Sequence, residues 1–169
     1  DSVAHSTTPN LQLGLLRRLL GDQIRTVSRK NLVRGRKFSE MLNDALTRYT
    51  NRSLTTAEII AELVSLAKDM RADRERAKQL RLSDAEIALY DAIIQNDSAI
   101  LEMGDETLKM IARELVATIR SSATLDWTVK ESVRARMRSR IKRLLAKYKY
   151  PPDKREQAVQ LVIEQAEHL

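Results

Sequence analysis

Apolar residues recur along this chain at intervals of three and four, with no sustained alternation, which is the period of helix rather than strand. Leu16, Leu19, Leu20, Ile24 and Val27 share one helical face, and Phe38, Met41, Leu42, Ala45, Leu46 and Tyr49 form a second stripe. A third, with Ile59, Leu63, Leu66 and Met70, follows Thr55-x-x-Glu58, a capping box in which hydroxyl and carboxylate satisfy each other's backbone N–H groups. Ser83-x-x-Glu86 repeats the device ahead of Ile87, Tyr90, Ile93 and Ile94. Asp105 opens a stretch with Leu108, Ile111, Ala112, Leu115 and Ile119, and Ala158, Leu161, Val162 and Gln165 follow Pro151-Pro152. The 169 residues include only four glycines and three prolines, too few for the many tight turns of a β protein. The expected fold is all-α, a single helical bundle domain of about seven helices with no significant sheet.

Punctuation along the chain refines this picture. Residues 1–10, polar and ending near Pro9, read as a linker or frayed arm, with residues 11–169 as one helical domain. Gly21 and Gly35 are candidate kinks, Asn51-Arg52-Ser53 a break, and Asn96 to Gly104 a loop. Arg71 to Arg81 keeps helical propensity but is mostly charged, so it is either a solvated helix extension or a projecting arm. Asp126 is placed to cap a helix that runs to about Tyr148. The start at Asp1 rather than Met suggests a piece of something larger.

Most chemistry is excluded by what is missing. Without cysteine there are no disulfides, thiolate nucleophiles or Cys-ligated metals, and a cytoplasmic setting fits. His5 and His168, one at each end, cannot supply the Glu-x-x-His pairs of a di-metal bundle. Glycines at 14, 21, 35 and 104 cannot form a Walker phosphate cradle. Glu58 with Glu62 and Asp105 with Glu106 read as helix-surface carboxylates, and Asp97 with Glu102 lacks the EF-hand spacing. No apolar run approaches the roughly 20 residues needed to span a membrane. The chain is expected to have no catalytic residue, metal or cofactor of its own.

Charge is unevenly distributed. The chain carries a net +7; residues 1–54 hold +6, 55–125 hold −4, 126–150 hold +7 and 151–169 hold −2. Such asymmetry points to an anionic partner. On a wheel of about 100° per residue, Val129, Val133, Met137, Ile141, Leu144, Leu145 and Tyr148 fill one arc of roughly 160°. Opposite lie Ser132, Ala135, Ser139 and Ala146, flanked by Arg138, Lys142 and Lys149 on one side and Arg136, Arg143 and Lys147 on the other. Long cations beside small residues would let a duplex phosphate backbone approach closely. The same cations also suit an ordinary solvated helix face near a C-terminus. No finger, RRM or helix-turn-helix signature suggests base readout. Trp127 fits either a staple at the helix start or an interface anchor.

Three stretches together resemble a known family: Arg36-Lys37-Phe38-Ser39-Glu40-Met41-Leu42, Leu82 to Ala92 (LSDAEIALYDA), and Asp126 to Val159 (DWTVKESVRARMRSRIKRLLAKYKYPPDKREQAV). They are similar to the C-terminal helical region of the restriction (motor) subunit of type I restriction–modification enzymes, over residues 11–167. Lys149 departs from the pattern, which has a glycine between the two tyrosines. The resemblance implies that nuclease and ATPase parts, with ATP and Mg, lie on other sequence of a DNA-translocating endonuclease. It implies docking onto the methyltransferase core of modification and specificity subunits, beside double-stranded DNA. The residues themselves offer Trp127, or Arg71, Arg74 and Arg76 in the charged Arg71–Arg81 stretch, as the partner surface. A different class of function, a free-standing helical bundle binding nucleic acid without sequence preference, would show itself by tight binding of duplex DNA by the chain alone.

Overall fold

The computed structural model describes residues 9–95, 97–122 and 131–169. Among these are eight α-helices, one short 3-10 turn and no strand. The helices are α1 (Pro9–Lys30), α2 (Leu32–Thr50), α3 (Thr56–Leu80), α4 (Asp84–Ile93), α5 (Asp97–Met103), α6 (Asp105–Ser122), α7 (Glu131–Lys147) and α8 (Arg155–Ala166). The all-α expectation is met. The single bundle resolves into two compact units, one formed by residues up to Arg29 and Arg34–Gln79, the other by Lys30–Val33 and Leu80–Leu169.

The first unit buries one stripe from each of three helices. Leu16, Leu20 and Ile24 of α1 meet Phe38, Leu42 and Ala45 of α2 and Ile59, Leu63, Leu66 and Met70 of α3. Pro9 and Asn10, placed in the linker by sequence, open α1 instead, because proline's fixed φ suits the first helical turn and its missing N–H is not needed there. Helix α1 passes through Gly21 without interruption, and the chain breaks at Asn31. Gly35 serves close approach: a Cβ there would lie 2.7 Å from the Ser28 Cα and 2.2 Å from its Oγ. Arg48 clamps Glu62 with two hydrogen bonds of 2.7 and 2.5 Å, tying α2 to α3. The Thr55 capping box forms as read, with Thr55 N–H donating to Glu58 Oε1 and Glu58 N–H to Thr55 Oγ1. The Arg71–Arg81 stretch is the helical extension of α3, to Leu80.

The second unit is organised around α4. Its residues Ile87 to Ile93 are all buried, the signature of a helix covered on every side. It packs against α6 and α8, while α7 lies on α6 and α8. The Ser83–Glu86 capping box starts α4 as expected. Residues 97–103, read as loop, form α5, whose Ala, Leu, Glu and Met favour helix; Gly104, at φ +79°, follows its end. Segment 30–33 is held by buried polar groups. Asn31 Nδ2 donates to Asp91 at 2.8 Å, and the fully buried Gln165 accepts from Leu32 N–H at 2.7 Å and donates to the Lys30 carbonyl at 2.8 Å. One amide side chain thus satisfies the backbone on both sides of Asn31.

Candidate nucleic-acid interface

Helix α7 carries the six cations singled out by sequence, or their immediate continuation. Met137, Ile141 and Leu145 are buried, with Val133, Leu144 and Tyr148 half-buried beside them, so the apolar arc is turned inward as the wheel predicts. Val129, Asp126 and Trp127 lie outside the described residues. Helix α7 ends in a Schellman motif: Lys149 N–H donates to Ala146 O at 3.0 Å and Tyr150 N–H to Leu145 O at 2.9 Å. Lys149 takes the left-handed conformation at φ +59°, the geometry a glycine would adopt most easily.

The two basic rails differ in what they touch. Arg134, Arg138 and Lys142, one turn apart, reach Glu167 (3.1 Å), Gln160 (3.5 Å) and Glu156 (2.7 Å) on α8. The partner numbers fall as the cation numbers rise, as they must between antiparallel helices. That rail is drawn to the protein itself. On the other rail Arg136 and Arg143 are exposed and make no ion pair among the described residues, and the same holds for Lys149. Lys147 continues this rail, 3.9 Å from Glu114 of α6 and 5.3 Å from the Tyr148 ring centre. Tyr148 donates its hydroxyl proton to Glu114. That hydrogen bond to a carboxylate, aided by burial and by the negative charge of Glu114, raises the phenol above its ordinary pKa. The exposed residues Ser132, Ala135, Ser139 and Ala146 lie alongside Arg136 and Arg143. Sequence reasoning left out Arg140, which falls on this rail one turn from Arg136 and is exposed but has a polar partner of its own.

The arginines read as docking residues sit on α3, in the first unit. Arg71 is exposed; Arg74 borders a groove with Val27 and Met70. Arg76 is 3.6 Å from Asp73, which also accepts from Arg34 at 3.2 Å. No group of three potential metal-binding side chains occurs among the described residues, and no helix there is long and apolar enough to cross a membrane.

A family model described as "Type I restriction enzyme HindI endonuclease subunit-like, C-terminal" matches residues 1–169. The chain is 44% identical over its whole length to the type I restriction enzyme HindI endonuclease subunit of Haemophilus influenzae, covering 16% of that protein. It is 35% identical over 136 residues, 79% of its length, to a Methanocaldococcus jannaschii protein provisionally named as the MjaIXP type I restriction enzyme endonuclease subunit, covering 13% of it. No solved structure matches the chain.

Proposed function

The chain belongs to the family of C-terminal regions of HindI-like type I restriction endonuclease subunits, and we propose that it is the non-catalytic assembly domain of such a subunit. In this reading it holds the subunit to the methyltransferase core of modification and specificity subunits. Helix α7 supports the DNA by contacting phosphates without reading sequence. The whole subunit, of which this chain spans about a sixth of the curated HindI relative, would then be an ATP-dependent DNA translocase and endonuclease of the cytoplasm, with ATP and Mg bound elsewhere in it.

The observation that carries the DNA contact is a set of three cations. Arg136 and Arg143 on one rail, and Lys149 just past the end of α7, are exposed and make no ion pair among the described residues, and the side chains beside the two arginines are small enough for a phosphate backbone to come close. Arg138, hydrogen-bonded to Gln160, and Lys142, ion-paired with Glu156, engage α8, so their contribution is smaller; such exposed contacts are weak and can yield to phosphate. Cations offered to phosphates release condensed counterions, which makes the contact salt-dependent.

The test is fluorescence anisotropy of the labelled chain titrated with methyltransferase core, with duplex DNA, and with both. Tight binding to the core, strengthened by DNA, is expected. Changing Arg136, Arg143 and Lys149 to Glu should reduce the salt slope of the DNA-dependent part by about 3, roughly one per phosphate lost. An unchanged slope overturns the DNA contact, and binding to DNA but never to the core favours a free-standing nucleic-acid-binding bundle.

A further inference from the structure

We infer that the outward face of α1 docks an acidic amphipathic helix carried by another subunit of the enzyme, an inference that rests on the assembly reading above. Leu11, Leu15 and Leu19 are 56%, 40% and 49% exposed, and their four-residue spacing stacks them into one ridge along the helix. The stripe that α1 gives to its own core, Leu16, Leu20 and Ile24, is turned away from this ridge, and Leu19, grouped with that stripe by its spacing, stands outside it in solvent. A lone exposed leucine needs no explanation, but three in register form an apolar strip left uncovered among the described residues.

The second observation is a pair of glycines that the chain does not use. Gly14 is exposed one turn from Leu11, beside the ridge, while Gly21 lies one turn from the core residue Ile24; a Cβ at either would meet nothing within 4 Å. In a helix interior each costs about 1 kcal/mol relative to alanine. Gly35 is different, because Ser28 occupies the space a side chain would need. A partner backbone passing close beside Leu11 and Leu15 gives Gly14 a use.

Charge selects the partner. Arg18, Arg25 and Arg29 share this face, and the sole carboxylate of α1, Asp22, is bonded to Arg25. A second copy of the same helix would set arginine against arginine. A helix with an apolar stripe bordered by Asp and Glu complements both the ridge and its flanks.

The experiment measures affinity of the chain for the purified modification–specificity complex, alongside thermal stability of the chain alone. Leu15→Glu, at a surface position, should keep the fold and lose at least tenfold in affinity. Gly14→Ala should raise the Tm by about 2–4 °C through helix propensity yet weaken binding several-fold. This opposition of sign separates a docking role from a structural one. Leu101→Glu, at an 85% exposed position on α5, should leave binding unchanged. If the wild-type chain binds and Leu15→Glu binds equally well, the docking face is overturned while the assembly reading stands. If the wild-type chain does not bind the complex, both fall. A chain that dimerises in solution, with Leu15→Glu restoring the monomer, assigns the ridge to a second copy and overturns the acidic partner.

Discussion

The amide of Tyr150 donates to the carbonyl of Leu145, 2.9 Å away, and both side chains are fully buried. Between them Lys149 is forced to φ +59°. A β-carbon in that region costs roughly 1–2 kcal/mol, which glycine avoids at some expense in chain entropy. Lys149→Gly should therefore stabilise the chain by about 1 kcal/mol in urea unfolding, even as it removes an exposed cation. A variant less stable than wild type would contradict the strain.

The Gly35–Ser28 approach makes the opposite prediction. Gly35→Ala places a methyl group where Ser28 already stands, with backbone Cα at 2.7 Å. The helices must separate or shift, at a cost of about 1–3 kcal/mol. Ser28→Gly in the same chain should recover part of the loss, because it removes the Oγ and Cβ but not the Cα. Equal stability of Gly35→Ala and wild type in a denaturant titration would refute the close packing.

Gln165→Leu preserves approximate size but removes both a donor and an acceptor. It leaves the Lys30 carbonyl and Leu32 N–H without their side-chain partner, and an unsatisfied buried group costs about 1–3 kcal/mol. Gln165→Glu should be intermediate, since a carboxylate can still accept from Leu32 N–H but cannot donate to Lys30. Hydrogen exchange at the Leu32 amide reads this directly: it should accelerate in Gln165→Leu more than in Gln165→Glu.

The Thr55 box sets an acid dependence. The Thr55 backbone N–H, and secondarily its hydroxyl, hold the Glu58 carboxyl below its ordinary value of 4.5. Folding then favours the ionised form, so this contribution is fully present above 4.5 and drains away as the pH falls through the lower folded value. Glu58→Gln should show a smaller fall in urea midpoint than wild type between about pH 5 and about pH 3. Identical acid limbs for the two proteins would rule the box out as a source of pH dependence.

Local signals were legible and long-range ones were not. Both capping boxes, the helix class and the inward arc of α7 depend on residues within a turn or two of each other, and each could be read from the chain. The break at Asn31 carries no glycine or proline, because Gln165 and Asp91, far along the sequence, supply the hydrogen bonds that hold it. Helix α5 was hidden by flanking turn residues. At the candidate site the cations of α7 were visible as a pattern, but their division was not. Which rail α8 engages depends on the register of two antiparallel helices, which brings Lys142 to Glu156 and leaves Arg143 in solvent. The left-handed Lys149 was obscured for a related reason: the motif's geometry is set by the burial of Tyr150, not by the residue that bears the strain.

Segment 30–33 also governs how such a region can be inherited. Because the second unit takes four residues at the junction of α1 and α2 and the rest from the end of α3 onward, no single breakpoint in the coding sequence yields two intact pieces. A truncation at residue 80 leaves the Gln165 amide without the backbone it clasps, and one before residue 30 strips α1 from the first unit's core. Recombination that exchanges parts between related enzymes would have to carry α1 through α8 together, as one cassette.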